Sequence, residues 1–157
     1  MAGYIAITSG KWIDCLKNNR TEVALFWCKK KSFKALKIGE DFFFLRRSEF
    51  KTSADRFIVG KGSFIEFKRM PSNVIWSEYG NSVGFETKDE FSENIRKTYG
   101  SDVTDLGCII LGDIIFYDRP KSIKECEIAF SPYIVSGKTI SDEECKKIKA
   151  IKEYGYE

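Results

Sequence analysis

Short apolar runs divide this chain into strands, with amphipathic helices filling several connections. Residues 3–8 (GYIAIT) form a first run of strand length. Ser9 then caps a helix predicted over Lys11 to Lys17, where Trp12, Cys15 and Leu16 recur at i, i+3 and i+4. Asn18 and Asn19 end it. Residues 22–28 read as a second strand, and three lysines follow as a loop. Residues 32–38 lead into a turn at Gly39-Glu40-Asp41. Two strands rich in aromatic and β-branched residues are predicted next, over 42–46 and 56–67, with a polar loop at 47–55 between them. Strand alternation turns Phe43 to the face opposite Phe42 and Phe44, so this strand is expected to be covered on both sides.

The second half continues the pattern. Pro71 opens a helical region, with a short helix over 73–79 carrying Trp76 and closed by Gly80. Thr87 and Glu90 have capping-box spacing and open a helix to Tyr99, with Phe91 and Ile95 on its inner face and Gly100 as its stop. Residues 107–117 (GCIILGDIIFY) are the most apolar strand pattern, with a bend expected at Gly112-Asp113. Ile128 and Phe130 read as extended, and residues 131–138 as an ordered loop. Ser141 and Glu144 repeat the capping-box spacing before a final helix with Cys145, Ile148 and Ile151 on one face. Strands outnumber helices. The pattern predicts an α+β domain spanning 1–157, a small twisted β-barrel with peripheral helices.

Composition then removes whole classes of chemistry. The 157 residues include no histidine. A Ser-His-Asp triad, a Cys-His pair and a histidine-based metal site are therefore excluded for this chain. Five scattered cysteines form no CxxC pair, so a zinc site is not expected, and the thiols are expected to be reduced and mostly buried. No cofactor is expected. No run approaches the roughly 18 apolar residues of a membrane span, and the N-terminus lacks a basic leader and an apolar signal core. The chain is expected to be cytoplasmic, without a membrane partner.

Charge adds a directional signal. Residues 1–70 carry 15 Lys/Arg against 7 Asp/Glu, while residues 71–157 carry 11 against 16. A small net charge of +3 can thus hide a basic face suited to a polyanion. That charge is interleaved with rings in residues 22–62, where Phe26-Trp27 precede Lys29, Lys30 and Lys31. Rings beside cations are what a protein needs to hold a nucleobase against a phosphate backbone. On these residues alone, Trp27 serves equally as core or as the rim of a pocket. Gly137-Lys138-Thr139 is not a phosphate loop, because Pro132 stands where the first glycine is required. Its lysine and Ser136 remain candidate phosphate and base contacts. Glu40-Asp41 and Asp142-Glu143-Glu144 need no more than a turn and a helix start to explain them.

A series of segments carries a family resemblance. Residues 3–6 with Trp12, Glu22-Val23 with Phe26-Trp27, residues 33–40 with Phe42-Phe43-Phe44, and residues 58–64 stand in a characteristic order. Residues 76–80, 107–111 and 131–139 continue it. This order and spacing resemble the N-terminal domain placed ahead of HNH nuclease modules in modification-dependent restriction enzymes. That domain is PUA-like, a relative of EVE, YTH, ASCH and SRA domains. At the place where the family often has a Gln-Pro-Ser-Gly-like stretch, this chain has Cys28-Lys29-Lys30-Lys31. The resemblance implies a PUA-like barrel that binds DNA with a modified cytosine or adenine, taking the flipped base into an aromatic cage. It implies a recognition domain rather than an enzyme, with a nuclease module in the same or a partner chain. RNA binding, or an ASCH-like ribonuclease using Lys and Tyr, is the alternative. The expected base pocket is Trp27, Phe44, Trp76 and Ser136. The expected backbone contacts are Lys29, Lys30, Lys31, Arg46, Arg47, Lys51, Arg56 and Lys138. Trp27→Ala is expected to remove preference for a modified base while leaving weak general binding.

Overall fold

The fold turns on one six-stranded mixed sheet that curls around its own aromatic residues. The computed structural model describes residues 2–47, 56–100, 105–128 and 136–150. The strands are β1 (Gly3–Thr8), β2 (Ala24–Cys28), β3 (Asp41–Arg46), β4 (Phe57–Pro71), β5 (Asp105–Ser122) and β6 (Gly137–Ile140). The helices are α1 (Gly10–Asn19), α2 (Ser72–Tyr79), α3 (Lys88–Tyr99) and α4 (Asp142–Ala150), with a 3₁₀ turn at Gly80–Val83. The strand order is β2-β5-β4-β3-β1-β6, with β1 parallel to β3 and the other neighbours antiparallel.

Curling is visible in ring contacts. Phe26 on β2 and Phe42 on β3 are three ladders apart in the sheet, which would separate them by about 14 Å if it were flat. Their ring centroids are 5.2 Å apart. The sheet nevertheless stays open among the described residues, since β2 and β6 are its two edges and do not pair. The expected small twisted barrel is, among the described residues, a strongly curled open sheet.

Three apolar clusters follow from this shape. Tyr4, Phe42, Phe44, Phe64, Ile109 and Leu111 fill the concave interior, closed by Trp12 and Leu16 of α1. Phe43, Leu45 and Ile5 face outward under Cys145 and Ile148 of α4. Leu106, Cys108 and Ile110 face outward under Ile75 of α2 and Phe91 and Ile95 of α3. β3 is covered on both faces, as alternation through the phenylalanine run predicts.

Most boundaries follow the sequence pattern. The Thr87 hydroxyl accepts from the Glu90 amide at 3.1 Å, and Ser141 and Glu144 exchange side-chain and backbone bonds at 3.1 Å each way. Gly100 ends α3 in the left-handed region at φ 75°. The bend at Gly112-Asp113 is present, with Asp113 at φ 48°. Two differences stand out. β4 and β5 outrun their predicted ends, because register shifts after Ile58, Lys61 and Phe64 let the arms stay paired beyond the apolar core. Gly137 to Ile140 is a strand on β1, not the end of a loop. Residues 129–135, including Phe130 and most of the expected loop, lie outside the described residues.

One ion-pair cluster ties the start of β3 to its neighbours. Asp41 accepts from Lys61 of β4 at 2.8 Å and pairs with Lys149 of α4. Burial pushes its carboxyl up, but hydrogen bonds from Lys149 and Lys61 outweigh this and hold it below its ordinary value of 3.8. A depressed folded-state value gives stability that is present above 3.8 and lost as pH falls through the folded value. Asp41→Asn should cost about 1–3 kcal/mol at pH 7 and flatten acid unfolding, read from urea melts between pH 2 and 7. A wild-type acid limb in the variant would remove Asp41 from the acid response.

Candidate functional site

Where the curl fails to close, β1 and edge strand β2 leave a cleft. Its larger part has a volume of about 440 Å³, within the roughly 300–1,000 Å³ range of small-ligand sites. Trp12, Phe26, Trp27 and Phe85 form its apolar walls, and Lys11, Arg47 and Asn94 supply polar groups. A smaller part of about 200 Å³ adjoins it, lined by Tyr4, Cys28, Lys30 and Ser136 among others. Ile7, Phe26 and Arg47 line both parts.

The rings are held by the elements beneath them. Trp12 sits on α1, where its indole N–H donates to the Leu25 carbonyl at 3.3 Å. Its ring meets Phe26 and Phe44 edge-on, at centroid distances of 5.7 and 5.2 Å. Gly84 presses against Trp12: a Cβ there would lie 2.0 Å from the indole Cδ1, and φ is +91°. Trp27 points the other way from Phe26 along β2. Its indole N–H donates to the Val83 carbonyl at 3.2 Å, and its ring packs edge-on against Phe91 at 5.7 Å. Trp27 therefore belongs to the outer core as well as to the cleft wall. Its replacement by alanine also removes a helix anchor, so loss of binding in that variant is not a clean test of a cage.

The lysine loop is fixed beside the cleft. The Arg69 guanidinium donates to the Lys30 carbonyl at 2.8 Å and to the Asp105 carbonyl at 3.2 Å. Gly107 makes room for the Lys30 carbonyl, because a Cβ there would stand 2.3 Å from it. From this anchor the side chains splay. The Lys29 ammonium lies 4.7 Å from the Tyr99 ring centre. That of Lys30 lies 5.7 Å from both Tyr4 and Phe33. All three lysines are exposed.

The structure brings Trp27, Ser136, Lys30 and Arg47 to the cleft and sets Lys29 and Lys31 on the adjoining loop. Other expectations need correction. Phe44 is fully enclosed at 0 % exposure, because its position on β3 faces the concave core. Trp76 stacks on Phe91 at 6.0 Å and serves α2, away from the cleft lining. Arg46 is paired with Asp14 of α1 at 3.2 Å. Arg56 stands at the head of β4, where its carbonyl accepts from the Ile123 amide, outside the lining. Lys138 pairs with Ile5, whose side chain belongs to the outward cluster under α4, so it projects to the far face of the sheet. Lys51 lies outside the described residues. Tyr4, Trp12, Phe26, Phe85, Lys11 and Asn94 are lining residues that the sequence reading did not single out for the pocket. Phe85 had a signal in retrospect, an aromatic directly after a glycine between two helices.

Burial, first among several causes, pushes the thiols of Cys15, Cys108 and Cys126 up to about 11, 12 and 11, which keeps them protonated at neutral pH. Among the described residues no group of three or more Cys, Asp or Glu side chains could hold a metal. A neighbouring groove of about 460 Å³ carries Asp14, Glu86, Glu90 and Glu93 beside Lys11 and Lys97, so its charge is mixed with an acidic excess. A further cavity of about 630 Å³ mixes Lys17 and Arg20 with Glu22 and Asp113 and has one ring, Phe116. The cleft joins several rings to a cationic rim.

No protein-family model and no curated protein matches this sequence. Solved structures do share its fold. The ASCH protein from Zymomonas mobilis superposes with a TM-score of 0.66 at 14% identity, over 95% of this chain and 94% of that one. A point mutant of it gives 0.65 at 14% identity, over 95% and 97%. The human THYN1 protein, in complex with 5-methylcytosine-containing DNA, gives 0.50 at 10% identity, over 93% and 94%. At such identities the likeness concerns architecture alone: this chain has an α+β fold similar to that of the ASCH protein.

Proposed function

We propose that this chain is a non-catalytic DNA-binding module that takes a single extruded, modified base into the cleft between β1 and β2. The observation that carries the reading is the meeting of several aromatic walls with Arg47, Lys11 and Lys30 at one opening. Stacking on a ring is worth about 1–3 kcal/mol per base. That offsets the few kcal/mol needed to unstack it. Ser9, Asn94, Thr98 and Ser136 offer groups for the base edge. The DNA-bound state of human THYN1, a protein of similar fold, supports DNA with a modified cytosine as the first ligand to try. In the cell, the module would direct a nuclease carried in the same or a partner chain to modified DNA.

Fluorescence anisotropy with matched oligonucleotides tests this. Cytosine, 5-methylcytosine, 5-hydroxymethylcytosine, glucosylated cytosine and N6-methyladenine strands are compared with RNA of the same sequence. Preference for one modified DNA supports the reading, and tighter binding to unmodified RNA overturns it in favour of an RNA module. Cleavage of labelled RNA by the pure protein would instead favour the ASCH-like ribonuclease. Changing Lys29, Lys30 and Lys31 together to alanine should weaken all sequences about equally. Each lost phosphate contact should make the log K against log salt slope shallower by about 0.7–0.9. An unchanged slope would take the three lysines off the contact surface.

A further inference from the structure

The connector between β2 and β3 does more than its leading lysines. It is irregular, yet nearly every inward position is anchored. Phe33 and Leu36 are buried at 8% and 6% exposure in the concave core. The Lys37 amide donates to the Glu40 carboxylate at 2.7 Å, the Glu40 amide to the Lys37 carbonyl at 3.0 Å, and the Gly39 amide to the Phe64 carbonyl at 2.8 Å. Between these anchors every lysine of the segment, Lys29, Lys30, Lys31, Lys34 and Lys37, is exposed. The turn they lead to holds Ile38 in solvent at 79% exposure, and among the described residues the next large apolar side chain is Ile115 at 47%.

We infer that residues 29–40 are a duplex-docking surface: Lys34 and Lys37 extend the phosphate track away from the cleft, and Ile38 enters the base stack as an apolar wedge. This rests on the base-pocket reading and adds the form of DNA it acts on. Apolar side chains inserted between base steps unstack and kink a duplex. Such a wedge has no role on a single strand, whose bases are already accessible. Double-stranded DNA is thus the partner that explains both the row and its tip.

The test uses the full chain with a 20-base-pair duplex carrying one central 5-methylcytosine, and the same modified strand alone. Ile38→Ser should lower duplex affinity about tenfold or more without altering the salt slope, and leave the single strand unchanged. Lys34→Ala with Lys37→Ala should make the duplex salt slope shallower by about 1.5–2. All three positions are exposed, so melting temperatures should match wild type, and Ile115→Ser serves as the exposed-isoleucine control. Equal losses on duplex and single strand, or no loss on either, would overturn the docking surface while wild type still binds the modified strand. Failure of wild type to bind either form would overturn the base-pocket reading itself.

Discussion

Gly84→Ala should destabilise the protein by about 2–6 kcal/mol and close the cleft. Two costs combine. The residue sits at φ +91°, where an L side chain adds strain of about 1–3 kcal/mol. The new methyl also overlaps the Trp12 indole, at 2.0 Å from Cδ1, and overpacking of this kind adds about 1–3 kcal/mol. Trp12 has limited room to yield, since Phe26, Phe44 and the Leu25 carbonyl hold its ring. For a chain of this size the melting temperature should fall by roughly 4–24 °C. Gly100→Ala is the control, because φ is +75° there and nothing lies within 4 Å of the added carbon. Strain without overlap should cost about 1 kcal/mol. Equal losses at the two glycines, measured by calorimetry, would mean that the packing of Gly84 on Trp12 is not what shapes this wall.

Arg47→Glu should reduce affinity for the preferred oligonucleotide about 100-fold, equivalent to about 2.7 kcal/mol. Arg47 lines both parts of the cleft, and its side chain is exposed. Its backbone amide, not its guanidinium, makes the structural bond, donating to the Thr8 carbonyl at 2.8 Å. The substitution replaces a phosphate partner with a repelling carboxylate while leaving that bond intact. Melting temperature should hold, Arg47→Lys should recover much of the binding, and Lys17→Glu on the far side of α1 should have little effect. A loss under about threefold, with a folded variant, would take the phosphate away from this rim.

Much of this fold was legible because local chemistry repeats the global arrangement. The capping boxes at Thr87 and Ser141 and the glycine stop after Tyr99 mark helices whose ends depend on nearby residues. The Phe42-Phe43-Phe44 run announces a strand covered on both faces. The cleft was legible only in part. Lys29 to Lys31 beside Trp27 signal a charged, aromatic neighbourhood, but which ring faces it depends on how far the sheet curls. Curl is set by the paired arms of β4 and β5, whose register shifts leave no periodic trace in sequence. Local pattern alone therefore points Phe44 and Trp76 to the pocket, whereas they belong to the inner and outer cores. Trp12 and Phe85 join the pocket through Gly84, a contact between residues far apart in sequence. Lys138 was misplaced because a four-residue edge strand looks like a loop.

Trp27 is shared between two jobs, as wall of the opening and as clasp for the α2–α3 cap. Filling the opening would then tighten the cap, and loosening the cap would open the recess. Ligand occupancy and opening of those helices thus draw on one free energy, RT ln(1 + [L]/Kd), so that recognition could be transmitted to whatever surface the outer helices present.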